Sequence, residues 1–414
     1  MLRITTAQSF DTGVQGLQQR QRELADAQQR LTSGKRVAKA SDDPTAAARA
    51  ERALAALSRS EASQRALEAS RNAMTLTEGA LADAGELMQQ AREALVAAGN
   101  ASYSDAERTG VAGRLSAIRQ QLLAIANRGD GDGGFLFGGQ GTSQAPFVDA
   151  SGGVSYRATA GEVQVASDEP LPRSIDGQQA WLAAPSGNGL FATRNAAATP
   201  NLSGAWIDSG RVADPQTFYA ATSPPAVANP AALVYRVDFT TTAAGTTYTI
   251  LKDGAATAAT NLPYVSGQAM QLDGMAFTVN GQPAAGDAFE LTLATPSLGV
   301  FDALDRAITG LKTPLRSGAA VAQGVQRSLS DVDGSMAALQ SLRSRVGEVL
   351  NRADRLEGRI ADQALAAKTE RSNAEDLDMV QAISEFQSQQ TGYDAALKVY
   401  ASVQRMSLFQ YLNG

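Results

Sequence analysis

Large apolar residues recur every seven positions near the start of the chain, at Phe10, Leu17, Leu24 and Leu31. Val14, Gln21 and Gln28 hold the complementary seam positions, so the stripe is narrow and partly polar. Such a stripe has no core of its own and asks for a partner helix. Its polar members lower stability but restrict register and partner number. The C-terminal segment repeats the pattern with 4-3 spacing: Met379, Ile383, Phe386, Gln390, Tyr393, Leu397 and Tyr400, running on to Leu408 and Leu412. Two unfinished helical ends around a different middle suggest termini that pair with each other, as in filament and shaft proteins.

The first helix is expected from about Thr5 to Leu31, stopped by Thr32-Ser33-Gly34-Lys35 with Gly34 as its left-handed cap. Asp43 is a good N-cap and Pro44 a good first helical residue for a long helix to about Ala98. Its seam is Leu67, Met74, Leu81, Met88 and Leu95, with the small residues Ser70, Thr77, Ala84, Ala91 and Ala98 three positions after each. Large beside small lets helices approach closely, so this is packing and not a ligand groove. Ser104-Asp105-Ala106-Glu107 reads as a capping box for a third helix, with Val111, Leu115, Ile118, Leu122 and Ile125 on one face and an end at Arg128-Gly129.

The glycine-dense stretch that follows formally matches G-x-G-x-x-G at Gly129, Gly131 and Gly134. A dinucleotide site needs a strand before that motif and a helix after it. Here a helix precedes and Phe135-Leu136-Phe137 follows, which makes a helix-to-strand loop the better reading. Asp130 and Asp132 lack the remaining ligands of a calcium loop.

From Gln144 to about Ser297 the Ala/Gln/Leu pattern gives way to short alternating runs: 154–157, 233–239, 247–251, 275–279 and 289–293. Lys252-Asp253-Gly254 reads as a turn, and Asn280-Gly281 as a hairpin turn after 275–279. Trp181 and Trp206 are expected to pack this β domain, with sugar stacking as the alternative. Helical pattern resumes at Val300-Phe301 with Leu304, Ile308 and Leu311 on one face. A further long helix runs from about Ala319 past Ala366, with a seam of Val325, Leu329, Val332, Met336, Leu339, Val346, Leu350, Leu356 and Ile360. The charges between Lys368 and Asp378 are expected to be solvated surface. The fold class is α+β, a coiled-coil-like bundle of long helices from both chain ends with an inserted, mostly-β domain. Its segments are 1–43, 44–143, 144–298, 299–374 and 375–414. The two outer segments are assembly helices, poorly ordered in the monomer because their seams bury too little to offset ordering costs of roughly 1–2 kcal/mol per residue.

Composition narrows the chemistry. The chain of 414 residues has neither cysteine nor histidine. Disulfides, thiol nucleophiles, Ser-His-Asp triads and zinc sites built on Cys or His are therefore excluded. A formal charge of −6 and only 6% aromatic residues argue against nucleic-acid binding. No apolar run reaches the roughly 20 residues that span a bilayer. The start lacks an apolar signal-peptide core, so export, if any, is expected by a route without a cleaved signal. Catalytic, cofactor and metal residues are expected to be absent.

The segments together resemble the flagellin superfamily. Arg30-Leu31-Thr32-Ser33-Gly34-Lys35-Arg36 with Ala40-Ser41-Asp42-Asp43-Pro44 is similar to its N-terminal signature, and Ser344-Arg345-Val346-Gly347 with Asn351-Arg352 to its returning C-terminal helix. Met1-Leu2-Arg3-Ile4-Thr5-Thr6, Phe135-Leu136-Phe137-Gly138-Gly139 and the tail resemble the hook–filament junction members more than the filament subunit. That tail comprises 376–383, Gln389-Gln390-Thr391 and Ser407 to Leu412. Lys35 and Arg36 stand where flagellins carry a more apolar stretch. The resemblance implies a non-enzymatic flagellar subunit, forming a ring between hook-associated protein 1 and the flagellin filament. It also implies type III export and a chaperone on the C-terminal helix. The assembly seams would then be Phe10, Leu17, Leu24 and Leu31 with Met379, Ile383, Phe386, Tyr393, Leu397, Tyr400, Leu408 and Leu412. A flagellin proper, a trimeric phage-tail or adhesin shaft, and an enzyme carrying a catalytic β insert are the alternatives.

Overall fold

The computed structural model describes residues 6–165, 169–196, 203–224, 226–227, 229–243, 245–314 and 317–412, except the side chains of 6–10, 319 and 403–412. The chain falls into two compact units, Met1–Arg65 with Arg355–Gly414, and Ala66–Asp354. The described helices are α1 Thr6–Ser33, α2 Pro44–Ala98, α3 Asp105–Ala126, α4 Gly177–Leu182, α5 Pro215–Thr222, α6 Val300–Lys312, α7 Gly318–Glu375 and α8 Met379–Leu412.

Local chemistry sets the helix ends. Asp43 Oδ1 accepts from the amides of Thr45 and Ala46, so α2 starts at Pro44 as its capping residues dictate. The Ala46 amide, followed by the Thr45 hydroxyl, holds the Asp43 carboxyl down at about 2. Ser104 and Glu107 close the capping box of α3. That helix ends two residues before the Arg128 its sequence suggests. Asn127 leaves the helix to pair both its amide groups with the backbone of Phe147, donating to the carbonyl and accepting from the amide at 2.9 Å each. Gly34 ends α1 with φ +68°.

In the larger unit one core joins Met74, Leu81, Met88 and Leu95 of α2 to Leu115 and Leu122 of α3. Phe301 and Leu304 of α6 and Val325, Val332, Leu339 and Val346 of α7 complete it. The small row Ser70, Thr77, Ala84, Ala91 and Ala98 is fully buried beside the large one. On α7 the fully inward positions between the valines are Ser328, Ser335 and Leu342. Leu329, Met336 and Leu350, expected in the seam, pack partly buried on its flank. Ser335 is tolerated in the core because its hydroxyl donates to the Asp331 carbonyl one turn back.

The inserted region has two parts. The hairpin β1 Phe147–Ala150 with β2 Gly153–Tyr156, and helix α4, lie on the helical core. Trp181 stacks on Phe301 at 5.8 Å and meets Phe137 edge-on at 5.4 Å. It therefore serves the bundle, and the expectation that it packs a separate β domain is corrected. The second part carries β3 Phe191–Asn195, β4 Val234–Thr242, β5 Gly245–Lys252, β6 Ala269–Leu272, β7 Met275–Asn280 and β8 Ala288–Leu293. The long strands of its main sheet run antiparallel in the order β5-β4-β8-β3. Their inward side chains, among them Val237, Ile250, Phe289 and Leu291, meet Met275, Phe277 and Val279 of β7 in a second core.

Asn280-Gly281 does not close a hairpin. Residues after it cross to the other sheet, where β8 pairs with β4, while Asn280 pairs with Trp206. A tight hairpin forms one strand earlier, between β6 and β7, turned by Asp273 and Gly274 at φ +48° and +77°. Both central residues in the left-handed region match the right-handed twist of the flanking strands.

Candidate assembly interface

Within the smaller unit α1 and α8 pack against each other. Three contacts mark their antiparallel register. The Tyr400 ring covers Gly13, where an added Cβ would stand 3.5 Å from Cδ2. The Arg20 guanidinium covers Gly392, with Nη1 2.7 Å from the equivalent point. Lys35 bridges Asp376 as an antiparallel β pair. Glycine thus admits a bulky partner at both upper anchors, and a step up α1 is matched by a step down α8.

The inward side chains of α1 include Val14, Leu17, Leu24, Ala27 and Leu31, all half-buried. Those of α8 are Ala382, Phe386, Gln389, Tyr393, Ala396 and Tyr400, buried or half-buried. Their 4-3-4-3-4 spacing is that of a coiled-coil seam. Of the expected α8 residues, Phe386, Tyr393 and Tyr400 belong to it. Met379, Ile383 and Leu397 do not: they stay 46%, 45% and 40% exposed. At 100° per residue they form a second stripe about 70° around the helix from the first. Val380 and Val399 are more exposed still. Phe10, Leu408 and Leu412 lie on α1 and α8, but their side chains are outside the described residues. Gln389, which the sequence pattern passed over in favour of Gln390, puts an amide oxygen in the seam that finds no hydrogen bond among the described residues.

At the base of the pair the chain leaves α1 and α7 at one level. The Arg36 amide donates to the Glu375 carbonyl at 2.7 Å, and the Leu377 amide to the Gly34 carbonyl at 3.0 Å. The Glu375 carboxylate takes Lys35 Nζ at 3.1 Å on one oxygen and Arg371 Nε at 2.6 Å on the other. Arg36 Nη2 donates to the Ala374 carbonyl at 2.8 Å. The charges between Lys368 and Asp378 are therefore partly structural, contrary to the solvated surface expected. An acidic partner on one helix end and basic ones on the other gave no signal of pairing across so long a separation.

Among the described residues no group of three or more His, Cys, Asp or Glu is placed to hold a metal. No described helix is long and apolar enough to cross a membrane. The arrangement offers paired helices with an apolar flank left open on α8.

The family model of the bacterial flagellin N-terminal helical region matches residues 4–142, and that of the bacterial flagellin C-terminal helical region matches residues 329–412. The chain is 25% identical over 421 residues to flagellar hook-associated protein 3 of Salmonella typhimurium, covering 99% of each. It is similar to the crystal structure of hook-associated protein 3 from Legionella pneumophila at a TM-score of 0.69 and 25% identity, over 77% of this chain and 97% of that one. A Xanthomonas campestris FlgL structure matches at 0.64 and 25% identity, over 78% and 99%. With both helical regions present and the paired ends they form, the chain belongs to the bacterial flagellin family.

Proposed function

We propose that this chain is a structural, non-enzymatic subunit of the bacterial flagellum that forms the junction between the hook and the flagellin filament. The observation that carries the reading is end-to-end likeness, over 99% of both chains, to a flagellar hook-associated protein 3. Copies would form a ring with hook-associated protein 1 on one side and flagellin on the other. The contact is head-to-tail, so the same two surfaces repeat around a ring or along a tube. The α1–α8 pair supplies the seam, and the stripe of Met379, Ile383 and Leu397 receives the neighbour. Each is a little under half exposed, so covering one stabilises the assembly by roughly 1 kcal/mol. Export would proceed through the flagellar type III channel. A chaperone would cover the C-terminal helix beforehand.

Deleting the encoding gene and locating an epitope-tagged copy by immunogold tests this reading. The junction role predicts cells with hooks but no filaments, flagellin released as monomer into the medium, and gold label at the hook tip. Label distributed along the filament would instead make the chain a filament subunit. A wild-type filament in the deletion strain would remove it from the flagellar axis.

A further inference from the structure

The coincidence of two helix breaks at one level is unexplained by association alone. α1 stops at Ser33 and α7 at Glu375, and α8 resumes only at Met379. A lone break in either strand would let that strand bend or slide past the other. Here the breaks face each other and are tied by backbone hydrogen bonds in both directions, Arg36 to Glu375 and Leu377 to Gly34. Side chains add a second layer, with Glu375 held between Lys35 and Arg371. Val37 and Ala374 are buried beside them.

We infer that this cross-tied pair of breaks, Gly34–Val37 with Ala374–Leu377, is a clamp that sets the register in which α1 zips onto α8. The seam above the clamp specifies register weakly. It repeats every seven residues, so a slip of one heptad would bring Tyr393 to the place of Tyr400 and Phe386 to that of Tyr393, opposed chiefly by the polar Gln389. The clamp has no such degeneracy. An antiparallel bridge shifted by one residue loses its paired hydrogen bonds and turns Lys35 away from Glu375. Gly34 is part of the device: its φ of +68° releases the carbonyl that Leu377 binds, and a residue with a side chain there would be strained. The clamp does not depend on what the helices dock onto, so it stands or falls separately from the junction reading.

The cysteine-free chain makes the test clean. In the full-length protein, K35C/D376C places the two thiols on bridged residues at a spacing a disulfide spans. Mild oxidation at low protein concentration is expected to close this bond within the monomer, read as a mobility shift on a non-reducing gel. K35C with Asp378→Cys should give at least several-fold less. Register is read separately by a short bismaleimide on Gly13→Cys with Tyr400→Cys, the native pair, against Gly13→Cys with Tyr393→Cys, the pair brought together by a one-heptad slip. In the parent background the native pair should dominate. Glu375→Lys, which sets three cations against each other, should cut the native yield several-fold and raise the slipped one. The charge exchange Lys35→Glu with Glu375→Lys should recover part of the native yield. Far-ultraviolet circular dichroism on every variant confirms that the helices persist. If Glu375→Lys leaves both yields unchanged in a helical protein, or if K35C/D376C closes no faster than its control, the clamp does not set register.

Discussion

Replacing Arg119 by methionine separates what a buried cation contributes from what its shape contributes. Arg119 reaches from α3 and grips Asp149 on β1 with both terminal nitrogens, at 2.6 and 2.8 Å. Its Nε lies 2.7 Å from Asp305 Oδ1 on α6. The arginine side chain is 10% exposed, whereas the two carboxylates are 43% and 40% exposed. That asymmetry decides the magnitude. Removing one member of a fully buried pair costs about 3–5 kcal/mol because the other charge is stranded away from water. Here the carboxylates rehydrate, so the loss is the charge-assisted fork to Asp149, about 1.5–3 kcal/mol. The half-exposed pair with Asp305 adds at most about 1 kcal/mol. Methionine fills the volume of the arginine stem and restores little else, which leaves a net loss of about 2–4 kcal/mol. Urea unfolding followed by tryptophan fluorescence reports it, because Trp181 lies in the core of the same unit. A double-mutant cycle with Asp149→Asn should show coupling above about 1 kcal/mol that high salt lowers only in part, since the arginine side of the fork is buried and the carboxylate side is open to ions. An unchanged or raised stability for R119M, with coupling near zero, would refute the assignment of the fork as a tie between α3 and β1.

Asp331 on α7 is buried and its carboxyl is raised, by burial first and against the pull of Arg306 and Arg327. A raised acid favours folding while protonated, and that contribution is lost as pH climbs from the unfolded value of 3.8 through the native one. D331N should therefore raise the thermal midpoint at pH 7, with the gain vanishing below about pH 4; a loss at pH 7 would mean the Arg306 contact at 3.4 Å outweighs burial. Gly274→Ala should destabilise the larger unit by more than about 1 kcal/mol in urea, since its φ is +77° and an added Cβ would strike Asp214 and Phe218 backbone atoms. Leu24→Asp and Phe386→Asp should leave the urea transition of the larger unit in place and block incorporation into flagella, scored by motility and immunogold. Normal incorporation of both would remove the α1–α8 seam from the assembly surface.

Periodicity made the long helices legible because the same heptad that builds the pattern builds the core: Leu67, Met74, Leu81, Met88 and Leu95 are all buried. Capping was legible for the same local reason, as Asp43 and Ser104 satisfy amides within three residues of themselves. Failures came where a distant partner decided the outcome. Asn280-Gly281 has hairpin chemistry, but a hairpin also needs its strands in one sheet, and β7 and β8 pair elsewhere. Trp181 sits in the β-rich stretch of sequence yet is claimed by Phe301 of α6. Glu375 read as one surface charge among several, and its partner Lys35 lies 340 residues away.

The split of the α8 stripe bears on the proposal that the ends of this chain form a half-interface. Two helices packed together bury one strip of each, and an apolar arc wider than that strip must find a third surface or remain wet. On α8 the strip through Phe386, Tyr393 and Tyr400 is taken by α1, while Met379, Ile383 and Leu397 extend the arc beyond it. Adding charge to that flank would have favoured a soluble pair at no loss to the seam, yet its members are methionine, isoleucine and leucine. The sequence thus carries apolar area that folding within one chain does not use. On the proposed reading that surplus is spent on the neighbouring subunit, with the clamp at Lys35 and Glu375 fixing which way the stripe faces when the neighbour arrives. Leu397→Lys should then weaken incorporation while leaving the Gly13→Cys with Tyr400→Cys crosslink intact. A variant that lost both together would place Leu397 in the seam and not on the docking flank.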